Sequence, residues 1–261
     1  MQILRALLRL TRLDSSLLAF CSIFIPCSVR SNDLAQSLRR AIPLLFIFIC
    51  TFIANDLDDI EKDQVNHPDR PLPTGQLTAT FATVLYFTSL ALALFSTKYF
   101  VAPDVAFLYY ALIALTISYG YLVDCLPGLK APYVAAVSTI PILIVATSYA
   151  NDPRLLIVAA SFFLFNMGRE LCMDIKDRAG DALSFMHRLG PKPLATVAFV
   201  LQTIGLLLLA IQIRKVADLA ALVAITILLA RSAVDWFNVG NYKRAVILMK
   251  LPFFVGLYFL T

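Results

Sequence analysis

Two stretches of this 261-residue chain carry carboxylates at a spacing that can do chemistry. In the first, running from Asn55 to Gly75, Asp56, Asp59 and Asp63 are spaced i, i+3 and i+7. On a continued helix, at about 100° per residue, this places them within about 60° of one another. Asp58 and Lys62 fall on other faces, and Asn55 sits one step aside as an amide able to ligate metal or phosphate oxygen. In the second stretch Asp174, Asp177 and Asp181 repeat the spacing, with Glu170 as a further carboxylate on that face. Acids on one helical face repel each other, so something positive belongs between them. A hard divalent cation fits best. Magnesium in particular takes one or two carboxylates and leaves positions for phosphate and water. The spacing therefore predicts that Asp56, Asp59, Asp63, Asp174, Asp177 and Asp181 are metal ligands and that the two triads clamp a pyrophosphate. A merely solvated loop face is the alternative for one cluster, but a second copy with identical spacing argues against it.

The elements that position these acids must lie in lipid. The chain is 60% hydrophobic and only 15% charged. Its apolar runs approach the roughly 20 residues that a helix needs to cross a hydrocarbon core. Reading them between charged or Pro/Gly punctuation predicts nine spans, near 15 to 30, 41 to 56, 77 to 97, 102 to 122, 132 to 150, 154 to 173, 194 to 213, 217 to 235 and 244 to 261. The expected architecture is an all-α, polytopic membrane bundle forming a single domain over 1–261. Arg5, Arg9 and Arg12 interleave with Leu4, Leu7 and Leu8 at helical spacing, which predicts an interfacial amphipathic helix before a retained first span rather than a cleaved signal.

Composition also excludes. The five cysteines show neither CxxC nor Cys/His spacing, so no disulfide framework or zinc site is expected. The net charge of +5 comes mainly from Lys and Arg flanking the spans, and no basic domain with stacking aromatics is present to bind nucleic acid. With a cytoplasmic N-terminus, Lys and Arg are denser on the side that holds both acidic connections, 57 to 76 and 174 to 193. These follow the second and sixth spans, which predicts an internally duplicated bundle with its chemistry on the cytoplasmic face.

At these residues the sequence resembles the UbiA superfamily of intramembrane prenyltransferases. Asn55, Asp56, Asp59 and Asp63, followed by Arg70, Pro71, Leu72, Pro73 and Gly75, match that family's first motif, NDxxDxxxD and a loop ending RPLPxG. Asp174, Asp177, Gly180 and Asp181 match its second, DxxDxxxD, and Arg188-Leu189-Gly190 resembles the segment that follows. The family carries a Tyr and a basic residue after the fourth span. Tyr119 or Tyr121 and Lys130 stand there, although Val123 and Asp124 occupy places where many members are basic. Asp14 and Ala182 depart from the family pattern as well.

The resemblance implies a magnesium-dependent enzyme whose lateral, lipid-accessible chamber takes a prenyl pyrophosphate donor and a small-molecule acceptor, typically an electron-rich aromatic ring. Arg70 and Lys130, with Arg178 as a weaker candidate, would add positive charge to the leaving pyrophosphate. Asn55 and Tyr119 would line the substrate. Asp177 or Asp181 would take the acceptor's proton, although spacing alone does not separate a base from a ligand. His67, between Asn66 and Pro68, is expected to shape a turn. Two other readings stand beside this one. A UbiA-type terpene cyclase needs no second substrate, and a cation-binding transporter or scaffold would favour midplane charges over carboxylates at span ends.

Overall fold

The computed structural model describes residues 2–126, 128–149, 153–176, 190–239 and 241–260. They form eleven α-helices, and no strand occurs among them. The basic, leucine-rich start is helix α1, Gln2–Leu10, which ends where Arg12 takes a left-handed conformation, φ 41 and ψ 54. Helix α2, Leu13–Ser31, stops at Asn32, φ 53, a residue type that tolerates that region. Helix α3 runs Leu34–Asp58 and starts earlier than the expected boundary at 41. Asp33 is the reason: its carboxylate accepts a hydrogen bond from the Gln36 amide at 3.0 Å, so the chain turns helical before Arg39 and Arg40.

A short helix α4, Ile60–Asn66, precedes the connection to α5, Ala79–Phe100, which Thr78 caps by accepting from the Phe81 amide at 3.2 Å. The remaining helices are α6 (Pro103–Cys125), α7 (Lys130–Ser148), α8 (Pro153–Lys176), α9 (Pro191–Ala210), α10 (Val216–Val234) and α11 (Tyr242–Gly256). A π-helical turn, Asp235–Val239, joins the last two.

Eight of these helices are long and apolar enough to cross a membrane: α2, α3 and α5 to α10. The ninth expected span, 244 to 261, is α11 with 15 residues and a closing 3-10 turn, Leu257–Leu260. That helix is shorter than the roughly 20 residues of a full crossing.

The chain divides into two compact units, Met1–Cys125 and Leu126–Thr261. In the first, the motif-bearing α3 packs against α2, α5 and α6. Beneath its acidic end, Ala6 and Leu10 of α1 close on Ile53, Leu72, Leu77 and Ala82. Within the second, α8 packs against α7, α9 and α11. Leu171 and Cys172 there meet Leu194, Ala195 and Ala198 of α9 together with Trp236. The α8–α9 seam depends on small residues. A Cβ added at Gly168 would lie 2.5 Å from the Ala198 carbonyl oxygen, and one at Gly205 would lie 3.0 Å from that of Ser161.

Candidate active site

The first acidic cluster sits where α3 gives way to α4. The helix is not continuous as the spacing predicts. It breaks at Asp59, φ −97 and ψ 12, although the Asp59 amide still donates to the Asn55 carbonyl at 3.0 Å and the Asp63 amide to the Asp59 carbonyl at 2.8 Å. Asp56 and Asp63 are buried at 3% and 4% exposure, while Asp59 is half-buried. Burial pushes the Asp63 carboxyl above its ordinary range, and the adjacent Arg70 pulls the other way.

Arg70 reaches this cluster because the chain after α4 folds back in tight turns. His67 ends α4, and its main-chain carbonyl accepts from the Arg70 amide at 3.0 Å. Arg70 in turn accepts from the Thr74 amide at 3.1 Å, and Leu72 from that of Gly75 at 3.0 Å. Gly75 adopts φ 70, and a Cβ there would meet nothing within 4 Å, so the backbone rather than space demands glycine. As a result Arg70 donates to Asp56 Oδ1 at 3.3 Å and closely to Asp63 Oδ2. One guanidinium thus bridges two motif carboxylates.

A second guanidinium stands on the same acid, one that the motif spacing does not reveal. Arg12 donates through Nη2 to Asp56 Oδ1 at 2.6 Å across 44 residues of sequence, and its guanidinium carbon lies 5.0 Å from the Phe52 ring centroid. Arg9 pairs with Asp69 at 2.7 Å and so fastens α1 to the Arg70 turn. The i, i+4, i+7 spacing of Arg5, Arg9 and Arg12 is the only sequence signal for either contact.

Other expected residues fall as follows. Asn55 Nδ2 donates to Asp59 Oδ2 at 3.2 Å. Lys62 does not point elsewhere but pairs with Asp59 at 3.2 Å, because residues three apart are neighbours on a helix surface. Asp58 lies against α6, where a Cβ on Gly120 would fall 2.6 Å from its Oδ2. Tyr119 is half-buried on α6, whereas Tyr121 is 75% exposed.

The second unit carries a corresponding pairing. Asp174, near the end of α8 and 8% exposed, meets Lys130 Nζ, from the first residue of α7, at 2.8 Å. Glu170 is buried one turn earlier and pairs with Arg169 at 2.6 Å. With Asn166, 1% exposed, these acids make a buried polar row at i, i+4 and i+8. Asp177, Arg178 and Asp181 lie outside the described residues, as do Gly180, Arg188 and Leu189. Sequence reasoning also missed Asp235, 1% exposed on the π-helical turn, which Arg231 and Arg244 approach at 3.4 and 3.2 Å.

The donor chemistry fits a hard divalent ion, since Asp56, Asp59, Asp63 and Asp174 present only carboxylate oxygen. Among the described residues no group of three acids, histidines or cysteines converges closely enough to hold an ion unaided. Phosphate oxygens or further ligands have to complete any such shell.

Fold and charge together define a polytopic, all-α membrane protein with carboxylate–cation clusters at helix ends. The profile of the UbiA prenyltransferase family matches residues 30–257. The digeranylgeranylglyceryl phosphate synthase of Pyrococcus furiosus is 30% identical over 190 residues, which is 70% of this chain and 68% of that protein. A solved UbiA homologue from Aeropyrum pernix K1 shares the fold with a TM-score of 0.76 at 15% identity, covering 94% of this chain and 96% of its own. A UbiA homologue from Archaeoglobus fulgidus, bound to DMAPP and Mg2+, gives 0.65 at 14% identity, with coverage of 97% and 98%. The chain belongs to the UbiA prenyltransferase family. Its reaction class is prenyl transfer.

Proposed function

We propose that residues 1–261 act as one prenyltransferase domain, which moves an allylic prenyl group from its pyrophosphate to a small-molecule acceptor within the bilayer and depends on magnesium. In this reading Asp56, Asp59, Asp63, Asp174, Asp177 and Asp181 hold the metal, which when bound neutralises charge developing on the departing pyrophosphate. Asn55, Arg70, Tyr119, Lys130 and Arg178 bind substrate, with the three cations placed toward the pyrophosphate. The bond between the allylic carbon and the bridging oxygen breaks, and the acceptor's nucleophilic atom bonds to that carbon. Asp177 or Asp181 takes the proton the acceptor loses. The apolar helices keep water from the allylic cation. The polar connections face the cytoplasm, in keeping with the Lys and Arg asymmetry.

One observation carries most of this reading: Arg70 of the RPLPTG turn is drawn onto Asp56 and Asp63 of the acidic motif. The turn and the acids are therefore parts of one charged cluster.

For the acceptor, the sequence alone favoured an electron-rich aromatic ring. The similarity to digeranylgeranylglyceryl phosphate synthases supports a second class, a hydroxyl on a prenylated glyceryl phosphate. The test is to offer purified protein in nanodiscs a series of prenyl pyrophosphates of increasing length, with and without acceptors of each class, and to identify products by mass spectrometry. Magnesium-dependent pyrophosphate release with a prenylated acceptor is expected, and Asp59→Asn or Asp177→Asn should abolish it while the protein still elutes as folded. Cyclic hydrocarbon formed without any acceptor would replace transfer by cyclisation. Near-normal turnover in both variants would remove the roles assigned to the acids.

A further inference from the structure

Each described aspartate of the two triads already has a cation on it. Asp56 holds Arg12 and Arg70, Asp63 holds Arg70, Asp59 holds Lys62, and Asp174 holds Lys130. The pattern recurs at the leading aspartate of each motif, Asp56 in one unit and Asp174 in the other. Three of the four cations are well sheltered: the side chains of Arg12, Arg70 and Lys130 are 30%, 21% and 32% exposed. Arg12 is held in place by its own backbone as well as by its charge, because the left-handed turn at φ 41 directs the start of α2 while Phe52 flanks the guanidinium.

We infer that these side chains are resident counter-ions which make metal binding conditional on pyrophosphate. This rests on the metal–pyrophosphate reading given above. A divalent ion arriving alone must draw a carboxylate away from the guanidinium of Arg12 or Arg70 and weaken that cation's pairing in a poorly solvated place. A pyrophosphate arriving with the ion supplies the partner. The guanidiniums exchange carboxylate oxygen for phosphate oxygen, a pairing that arginine makes equally well. The freed carboxylates then turn to the metal. The two ligands thus bind with positive coupling, which is reciprocal: each strengthens the other by one factor. Without the exchange the acids stay neutralised.

The experiment measures Mn2+ bound to the purified full chain in nanodiscs by electron paramagnetic resonance, at matched free Mn2+, with and without inorganic pyrophosphate. Binding to the wild type should tighten by about tenfold or more when pyrophosphate is present, within the usual range of couplings between sites. Arg12→Gln should bind Mn2+ alone more tightly and show a smaller coupling factor, and Arg12→Lys should restore part of that factor. Tight Mn2+ binding to the wild type that pyrophosphate leaves unchanged would overturn the counter-ion role and spare the metal site. Mn2+ binding absent under both conditions would overturn the metal reading itself, and this inference with it. An Arg12→Gln protein whose coupling factor equals that of the wild type would also overturn the inference. The wild-type comparison needs no variant to fold.

Discussion

Asp56 is the residue on which most of the first cluster turns, and its environment separates interactions that matter from those that do not. Its carboxylate is buried and shares Arg70 with Asp63. Arg70→Ala would leave the buried Asp63 without its guanidinium while Asp56 keeps Arg12, and breaking a buried pair costs about 3 kcal/mol. Arg9 and Asp69 are 45% and 78% exposed, so Arg9→Ala should cost less than about 1 kcal/mol although its pair is 2.7 Å long. Thermal unfolding of both variants in detergent checks the contrast, and equal losses would refute it. At this scale the sequence was informative about type and spacing and silent about partners. The acids and Arg70 were legible because a short turn joins them. Arg12 was not, since nothing local in a basic amphipathic helix tells which of its arginines will fold back on an acid 44 residues away.

Helices were legible where a single rule governs them and obscure where two compete. The apolar runs located most spans to within a few residues, whereas α3 starts at Leu34 and not near 41, because the Asp33 cap lets the helix run on through the charged Arg39 and Arg40, outside the apolar run. Likewise, perfect i, i+3, i+7 spacing concealed the break at Asp59, where α3 ends and α4 begins. The packing of helices yields its own test. At Gly168 an added methyl meets the main chain of α9, which cannot swing aside, so Gly168→Ala should destabilise by about 1–3 kcal/mol. At Gly120 the nearest atom is the tip of the Asp58 side chain, which can rotate away, and Gly120→Ala should cost under about 1 kcal/mol. Comparing the melting temperatures of the two variants decides whether the α8–α9 seam is as rigid as its geometry requires.

Each unit repeats a plan: one helix leads into a motif helix, the motif helix ends in buried acid paired with base, and the next helix packs back against it. In the sequence the likeness between the halves lies in the two aspartate triads.

The corner at Gly75 selects for handedness and not for size. Open space surrounds the position where a side chain would stand, while the main chain is turned to the side of the Ramachandran map that mirror-image residues prefer. Gly75→Ala should therefore strain the bend even though its methyl group would touch nothing, and a lowered melting temperature with no loss of packing contacts is the signature to look for.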